Sequence, residues 1–232
     1  MVDVVYEDNH VIVCIKPQNI PSQLDESGDL DMLTMVKNYI KQKYNKPGNV
    51  YVGLVHRLDR PTGGVMVFAK TSKAAQRLSS QIANKDFTKQ YLCVCNGTTQ
   101  KSKNKLLNYL KKDEKLNKVK VVESYISGAK KAELEYNLIA TNTSNLSLFS
   151  VNLFTGRSHQ IRVQMSNIGT PVYGDMRYGG ENAQKGKLAL WATSLSFTHP
   201  VSKERLCFKV EPPKDLLPWK YFDTSKAVDI YN

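Results

Sequence analysis

Short apolar runs recur along the chain and are separated by polar turns, which predicts a series of β-hairpins. Residues 2–6 and 11–16 form one pair of β-branched runs. Residues 130–140 and 146–153 form another, around the turn-forming segment 141–145. Paired runs with turn residues between them are typical of antiparallel strands.

Other apolar runs predict further strands, and one lysine-rich stretch predicts a hairpin or loop. Residues 98–120 carry eight lysines against Asp113 and Glu114, with alternating apolar residues near the end, so we predict a mobile, basic segment there. The remaining predicted strands are residues 51–55, 65–69, 86–95, 188–192 and 206–210.

Helical spacing of apolar residues predicts three helices between these strands. The first begins after Asp31 and carries apolar residues from Met32 to Ile40. The second covers residues 73–84, with Thr71 and Ser72 as candidate N-caps. For the third we predict Ser158 as the N-cap and Gly169 as the residue that follows the helix; Ile161, Met165 and Ile168 form its apolar side.

A polar loop between two apolar runs, His56-Arg57-Leu58-Asp59-Arg60-Pro61-Thr62-Gly63-Gly64, carries the most informative chemistry. Nearby cations lower the pKa of a carboxyl group, so Asp59 is expected to be ionised at neutral pH. An ionised carboxylate on a loop between rigid strands can act as a nucleophile or a base. The alternative is a solvated surface ion pair worth under about 1 kcal/mol.

The charge balance favours a polyanionic partner. The 232 residues include 33 Lys+Arg and 21 Asp+Glu, which gives a net charge of +12. Lysine and arginine displace counterions from nucleic acid, although a basic surface can also serve solubility alone. The first residues lack a basic segment followed by a long apolar one, and no apolar run approaches the length of a membrane span. We therefore predict a cytoplasmic protein without membrane contact.

The cysteines and histidines do not predict a metal site. Cys14 and Cys207 lie in apolar runs and are expected in the core, whereas Cys93 and Cys95 should share one face of a strand. Zinc would need further ligands at close spacing, and the four histidines are scattered.

Two motifs resemble those of the RluA-type pseudouridine synthases. The first is His56-Arg57-Leu58-Asp59 with Thr62-Gly63-Gly64, and the second is Thr155-Gly156-Arg157-Ser158-His159-Gln160-Ile161-Arg162. The chain departs from the family pattern at Gly63, where serine is usual, and at Trp191, where histidine is common. The resemblance spans nearly the whole chain.

The resemblance implies an α+β fold: a mixed, mainly antiparallel curved sheet with flanking helices and a central active-site cleft. It implies one catalytic domain over residues 1–232, without the separate N-terminal RNA-binding domain that many members carry. The implied partner is structured RNA, either rRNA or tRNA, and we expect a monomer. The reaction turns uridine into pseudouridine with no redox change and no net hydrolysis, so no cofactor and no metal is expected.

The resemblance also implies roles for individual residues. Asp59 would be the nucleophile, Arg162 would pair with it and keep it ionised, and Tyr91 would stack on the uracil and accept a proton. Arg57 would fill the space that the flipped base leaves. The further residues predicted to bind substrate are His56, Arg60, Arg157, His159 and Leu190.

Two alternative functions remain open on the sequence. A non-catalytic RNA-binding module on the same fold would bind RNA with a steep salt dependence and leave uridines intact. A nucleosidase or glycosidase would use Asp59 as nucleophile and release free uracil. Two-carboxylate glycoside chemistry normally needs a partner acid, and neither motif contains a second acidic residue.

Overall fold

The computed structural model describes residues 2–180, 183–225 and 227, and the fold is of the mixed α+β class. The chain divides into two compact units. The first contains the residues up to Thr88 together with Ala192–Val210. The second contains Lys89–Trp191 and the described residues from Glu211 onward. Within the described ranges, no helix has the length and apolar character needed to cross a membrane.

The first unit is built on a sheet of six strands of the described chain. They are β1 (Asp3–Glu7), β2 (Val11–Lys16), β3 (Gly53–Leu54), β4 (Gly63–Ala69), β10 (Leu190–Thr198), of which the part from Ala192 onward belongs to this unit, and β11 (Arg205–Lys209). Their order is β1-β2-β4-β10, with β3 on β4 and β11 on β10, and every residue of β4 is buried. The β1–β2, β2–β4 and β10–β11 pairs are antiparallel, which confirms the predicted N-terminal hairpin.

Two helices of the first unit begin where the sequence predicts. Helix α1 (Met32–Lys43) has Asp31 as its N-cap, and the Asp31 carboxylate accepts the Thr34 amide. Helix α2 (Ser72–Ala83) has Thr71 as its N-cap, and the hydroxyl accepts the Ala74 amide. Each cap satisfies a backbone N–H that would otherwise have no partner in the first turn.

The second unit contains an antiparallel sheet of five strands. They are β5 (Thr88–Asn96), β6 (Lys103–Asp113), β7 (Lys118–Val122), β8 (Lys130–Thr141) and β9 (Leu146–Leu153). Their order is β5-β9-β8-β6-β7. The predicted hairpin around residues 141–145 is confirmed, and the lysine-rich segment forms the regular β6–β7 hairpin. Part of its positive charge is neutralised locally, because Lys103 pairs with Glu135 and Lys105 pairs with Glu133.

Helix α3 (Gln160–Asn167) begins later than predicted. The prediction of Ser158 as N-cap was wrong: His159 is the N-cap, in a left-handed conformation at φ 52°, and its side chain makes no capping bond. Instead, the Gln160 side-chain oxygen accepts the Arg157 amide at 3.0 Å. Gly169 does follow the helix with φ +82°, as predicted, because glycine adopts this backbone without strain.

The cysteine predictions hold in part. Cys14 is fully buried, and the sulfur atoms of Cys93 and Cys95 lie 3.7 Å apart on one face of β5. Cys207 is exposed, so its assignment to the core was wrong. It lies on β11, whose residues alternate between exposed and half-buried positions, so an apolar run did not mean burial there.

A carboxylate on β1 ties α1 to the first sheet. The Glu7 side chain is 5% exposed and pairs with Lys43 and Lys70, each at 2.7 Å. Tyr39 and Tyr44 donate to it at 3.0 and 2.9 Å. Burial opposes the ionisation of Glu7, but the hydrogen bonds from the two lysines and the two tyrosines outweigh it and lower the pKa of this carboxyl to about 2.

The Glu7 cluster predicts a specific pH dependence of stability. A carboxyl with a lowered pKa binds fewer protons when folded, so its contribution is complete above about pH 4.5 and is lost as the pH falls toward 2. Replacing Glu7→Gln should lower the free energy of unfolding by about 2 kcal/mol at pH 7. Urea unfolding of both proteins at pH 7, 5 and 3.5 should show this difference shrinking at the lowest pH; a constant difference would contradict the assignment.

Candidate active site

The loop that carries Asp59 connects β3 to β4 in the first unit. The Asp59 carbonyl accepts the Thr62 amide at 2.9 Å, which closes a tight turn, and Thr62 is buried. Leu58 is buried on the other side of Asp59, whereas Asp59 itself is half-buried. The turn therefore presents the carboxylate between two anchored neighbours.

A buried lysine holds this loop from the end of β2. Lys16 is fully buried, and its Nζ donates to the carbonyl oxygens of Pro17, Ile20 and Arg60 at 3.0, 2.6 and 3.0 Å. An ammonium group has three N–H donors, so these three carbonyls can satisfy it completely. One side chain thus fastens two loops that lie far apart in sequence.

The segment after Lys16 makes three further contacts with the Asp59 loop. The Asn19 amide donates to the Arg60 carbonyl at 2.8 Å, and Gln18 donates to the Pro61 carbonyl at 3.1 Å. The buried Ser22 hydroxyl accepts the Leu58 amide at 3.0 Å and donates to the Leu58 carbonyl at 2.8 Å. Residues 16–22 are called the cradle below, since they hold the backbone on both sides of Asp59.

The charges of Lys16 and Asp59 interact. Burial lowers the pKa of Lys16 to about 7, the negative charge of Asp59 raises it, and Arg60 lowers it. The Asp59 carboxylate therefore favours the ammonium form of the lysine that holds its own loop.

The Asp59 loop enters β4 at a position that only glycine can occupy. Gly64 has φ +123°, and a Cβ atom there would lie 2.2 Å from the Ala192 carbonyl oxygen. A side chain at residue 64 would therefore force β4 and β10 apart. This contact fixes where the Asp59 loop leaves the sheet.

Three predicted substrate-binding residues flank Asp59 and lie in different surroundings. Arg57 is exposed. His56 packs on Phe87, with ring centroids 5.5 Å apart, and its Nε2 accepts the Val67 amide at 3.1 Å. Arg60 forms ion pairs with Asp25 and Asp29. Of the cationic residues of this loop, Arg57 is therefore the one best placed to contact a substrate.

In the second unit, Arg162 of α3 forms a buried, two-pronged ion pair with Asp175. Its Nε donates to Oδ2 at 2.7 Å and its Nη2 donates to Oδ1 at 2.8 Å. The Arg162 side chain is 7% exposed and the Asp175 side chain is completely buried. Two parallel bonds fix the plane of the guanidinium group as well as its position.

Asp175 is itself held by the backbone of the following loop. Its Oδ1 also accepts the amides of Arg177 and Tyr178 at 3.0 and 3.1 Å. The Tyr178 ring lies under the Arg162 guanidinium, 5.1 Å from the centroid. The guanidinium is therefore fixed both at its edge and at its face.

His159 extends this network. Its Nδ1 lies 2.7 Å from the Tyr178 hydroxyl, which also accepts the Val119 amide at 2.9 Å. Burial raises the pKa of Tyr178, although the Val119 bond and the charge of Arg162 act in the opposite direction. The predicted substrate-binding residue His159 thus supports the ring beneath Arg162 from its left-handed position before α3.

Gln160 and Arg157 attach the second motif to β8. The Gln160 amide nitrogen donates to the Glu133 carbonyl at 3.1 Å, and its oxygen accepts from Thr155 at 2.8 Å. Arg157 is exposed, and its Nε donates to the Lys131 carbonyl at 2.9 Å. Polar residues of this motif therefore position α3 against the sheet.

Tyr91 and Leu190, the other predicted residues of the second unit, are buried at 6% and 3% exposure. Lys89 precedes Tyr91 by two residues on β5, so both side chains project from the same face. Burial lowers the pKa of Lys89, and its Nζ would lie 3.3 Å from a Cβ placed on Gly156. The glycine of the second motif leaves room for this lysine.

The structure places the predicted residues in two groups and adds three that sequence reasoning missed. His56, Arg57, Asp59 and Arg60 belong to the first unit; Tyr91, Arg157, His159, Arg162 and Leu190 belong to the second. The missed residues are Lys16, Ser22 and Asp175. The only sequence signals were a lysine in an apolar strand followed by proline, and the Gly174-Asp175 pair after the second motif.

Comparison with known proteins identifies the family. The family model described as RNA pseudouridylate synthase matches residues 10–167, which include Asp59, Tyr91 and Arg162. The chain belongs to the RNA pseudouridylate synthase family. It is therefore an isomerase by reaction class.

Relatives and solved structures agree with this assignment. The chain is 31% identical over 212 residues to the dual-specificity RNA pseudouridine synthase RluA of Salmonella typhi, covering 89% of this chain and 91% of that protein. It is 30% identical over 226 residues to ribosomal large subunit pseudouridine synthase D of Zymomonas mobilis, covering 92% and 70%. The fold is similar to human RNA pseudouridylate synthase domain containing 4, with a TM-score of 0.75 at 21% identity over 91% and 89% of the two chains.

The cradle predicts a measurable cost for removing the Ser22 hydroxyl. Ser22→Ala deletes both bonds to Leu58 and leaves a buried amide and carbonyl without them, so the free energy of unfolding should fall by about 1–3 kcal/mol. Urea denaturation measures this loss. Ser79→Ala, on the exposed side of α2, is the matched control and should change the midpoint little. Equal, small effects of both substitutions would contradict the role of Ser22.

The buried ion pair predicts a double-mutant result. Asp175→Asn removes the buried carboxylate that holds Arg162 by two parallel bonds, and it should cost about 3–5 kcal/mol of folding free energy. Adding Arg162→Met removes the buried charge that has lost this carboxylate, so the double variant should be more stable than Asp175→Asn alone. Thermal and urea unfolding of the three variants test this order; a double variant that is less stable than Asp175→Asn would contradict it.

Proposed function

We propose that this pseudouridylate synthase isomerises specific uridines in structured RNA, with Asp59 as the nucleophile. The target class is rRNA or tRNA, and the reaction takes place in the cytoplasm with the protein as a monomer. The observation that carries the proposal is the anchoring of the Asp59 loop by the cradle, because a nucleophile must be held in one position to attack. The names of the two bacterial relatives support the choice of RNA as substrate.

The reaction rearranges bonds within one nucleotide. The bond between C1′ of the ribose and N1 of uracil breaks, and a bond between C1′ and C5 forms. A proton leaves C5 and N1 gains one, so atoms and electrons balance without a redox partner. A carboxylate can open this sequence by attacking C1′ or the base, and both routes use Asp59 in its ionised form.

Cationic residues lie near Asp59 in the loop and in the cradle. The ammonium of Lys16 interacts with Asp59, and Arg57 and Arg60 are its near neighbours in sequence. Positive charge near a carboxylate favours ionisation and lowers its affinity for a proton. The proposal therefore gives Asp59 the role of nucleophile and not of proton donor.

Arg162 and Tyr91 complete the proposed chemistry from the second motif and from β5. Asp175 engages Nε and Nη2 of the Arg162 guanidinium. In this proposal Arg162 is the partner of the nucleophile Asp59, as the second motif implies. Tyr91 stacks on the uracil and accepts the proton that leaves C5. Leu190 packs near the same base.

A paired uridine must leave its helix before it can meet a carboxylate on an anchored loop. Flipping a base costs a few kcal/mol, and contacts with the rest of the RNA have to offset it. Arg57 is exposed beside Asp59 and fills the vacated space in this proposal. Four further residues support the Asp59 loop or bind the RNA in this proposal: His56, Arg60, Arg157 and His159.

Replacing Asp59→Asn tests the nucleophile, because asparagine keeps the shape and loses the charge. Pseudouridine formation should fall by about a thousandfold or more. The measurement is reverse-transcription mapping of pseudouridine in RNA from cells that lack the gene, after incubation with each protein. Asp215→Asn, at an exposed position, is the matched control and should retain full activity.

The outcomes separate this function from its alternatives. Wild-type activity in Asp59→Asn, with circular dichroism showing a folded protein, would refute the nucleophile. Release of free uracil by the wild type would point to a hydrolase. RNA binding without any change of uridine would point to a binding module.

A further inference from the structure

A polar, solvent-open pocket of about 720 Å³ lies in the first unit, between α2 and the turn that joins β10 to β11. Four cationic side chains line it, and Asp86 is the one carboxylate among its described lining residues. The cations are Arg77, Lys85, Lys203 and Arg205. None of these lining residues belongs to the two sequence motifs.

Three cations of this pocket, Arg77, Lys203 and Arg205, donate hydrogen bonds to neutral groups. Arg77 Nη1 donates to the Pro200 carbonyl at 2.7 Å. Arg205 donates to the Asp86 carbonyl at 2.7 Å and to the Thr88 hydroxyl at 3.2 Å. A carbonyl fixes the position of a guanidinium without cancelling its charge, so the positive charge remains available to an anion.

Two of these cations share a single acceptor. Lys203 Nζ donates to the same Pro200 carbonyl, at 3.2 Å, as Arg77 does. Two like charges are therefore held close together by one neutral oxygen, which has an electrostatic cost. A bound anion between them would remove that cost. Two lysines of the β6–β7 hairpin, Lys103 and Lys105, differ because they already pair with glutamates.

We propose that this pocket, lined by Arg77, Lys85, Lys203 and Arg205, binds the phosphodiester backbone of the substrate RNA outside the reacting nucleotide. The inference rests on the proposed function for its choice of RNA as the source of phosphate. A guanidinium can donate two parallel bonds to a phosphate, and a lysine adds a point charge. The open shape suits a continuous backbone better than a small enclosed ligand.

The contacts of the pocket also serve the fold, and the experiment has to separate the two roles. Gln81 donates to the Thr198 carbonyl and accepts the Thr198 amide, each at 2.8 Å, so α2 is attached to the end of β10 without any charge. The Lys85 side chain makes no hydrogen bond or ion pair with any described residue, and the Lys203 side chain contributes only the bond to Pro200. Removing these two lysines therefore changes charge with little loss of attachment.

The test variant is Lys85→Asn combined with Lys203→Asn. Both residues have positive φ, 64° and 68°, and asparagine tolerates this backbone better than most residues. Binding of a fluorescein-labelled RNA stem–loop with a uridine-rich loop is measured from 50 to 300 mM salt. The slope of log affinity against log salt should decrease by about 0.7–0.9 for each phosphate that the protein no longer neutralises. At 100 mM salt we expect affinity to fall about tenfold.

The matched control removes two positive charges elsewhere in the same unit. Lys37→Gln with Lys41→Gln on α1 lowers the net charge equally and should change the slope less than the pocket variant does. Thermal unfolding checks that both double variants remain folded. Equal slopes for the two double variants, or an unchanged slope in the pocket variant, would overturn the proposal.

A second arm distinguishes RNA from free phosphate, and activity distinguishes this inference from the proposed function. Calorimetric titration of the wild type with inorganic phosphate should show no binding at the pocket. Millimolar or tighter binding that is lost in the pocket variant would assign the pocket to a small ligand instead. If the wild type forms pseudouridine and the pocket variant binds RNA with an unchanged slope, only this inference fails. If the wild type forms none but the slope changes, only the isomerase assignment fails.

Discussion

The ammonium group of Lys16 is the interaction on which the candidate site depends most. It is buried at the end of β2 and donates to three carbonyls, one of which belongs to Arg60, next to Asp59. Burying a cation costs free energy unless its N–H donors are hydrogen-bonded, so the three carbonyl oxygens are held in position. These carbonyl oxygens take the place of water around the ammonium group, and in doing so they hold the backbone beside Asp59, the proposed nucleophile. Ser22 and Gly64 restrain the same loop through a hydroxyl and through close packing.

In the second motif the signs of the charges are reversed, because a buried carboxylate holds a cation. Arg162 is buried on α3 and is fixed by Asp175, whose other bonds come from backbone amides of its own loop. His159 and Tyr178 support the face of the guanidinium. In both units a charged residue of the proposed site is thus held in place by a buried residue of opposite charge. The cationic pocket beside α2 differs because its charges are held by carbonyls around an open space, which suits them to contact RNA.

Local chemistry made much of the fold predictable. The hairpins and the caps Asp31 and Thr71 depend on residues a few positions apart, and the pattern of those residues is visible in the chain. Ser158 failed as a cap because His159 adopts a left-handed backbone, so the helix begins one residue later than predicted. Lys16 and Ser22 could not be recognised from spacing, since their partners Arg60 and Leu58 lie 44 and 36 residues away. The second motif predicted Arg162 as a site residue, but its contact with Asp175 is visible only in the folded structure.

Amide hydrogen exchange in Lys16→Met tests the central claim most directly. Methionine fills similar space without donating to the three carbonyls. The account predicts that the amides of Asn19, Leu58 and Thr62, which bond within the cradle and the Asp59 turn, exchange at least about tenfold faster, while amides in the paired centre of β2 and β4 keep their protection. Unchanged protection at Asn19, Leu58 and Thr62 would show that the loop around Asp59 holds its shape without the lysine, and would contradict the account.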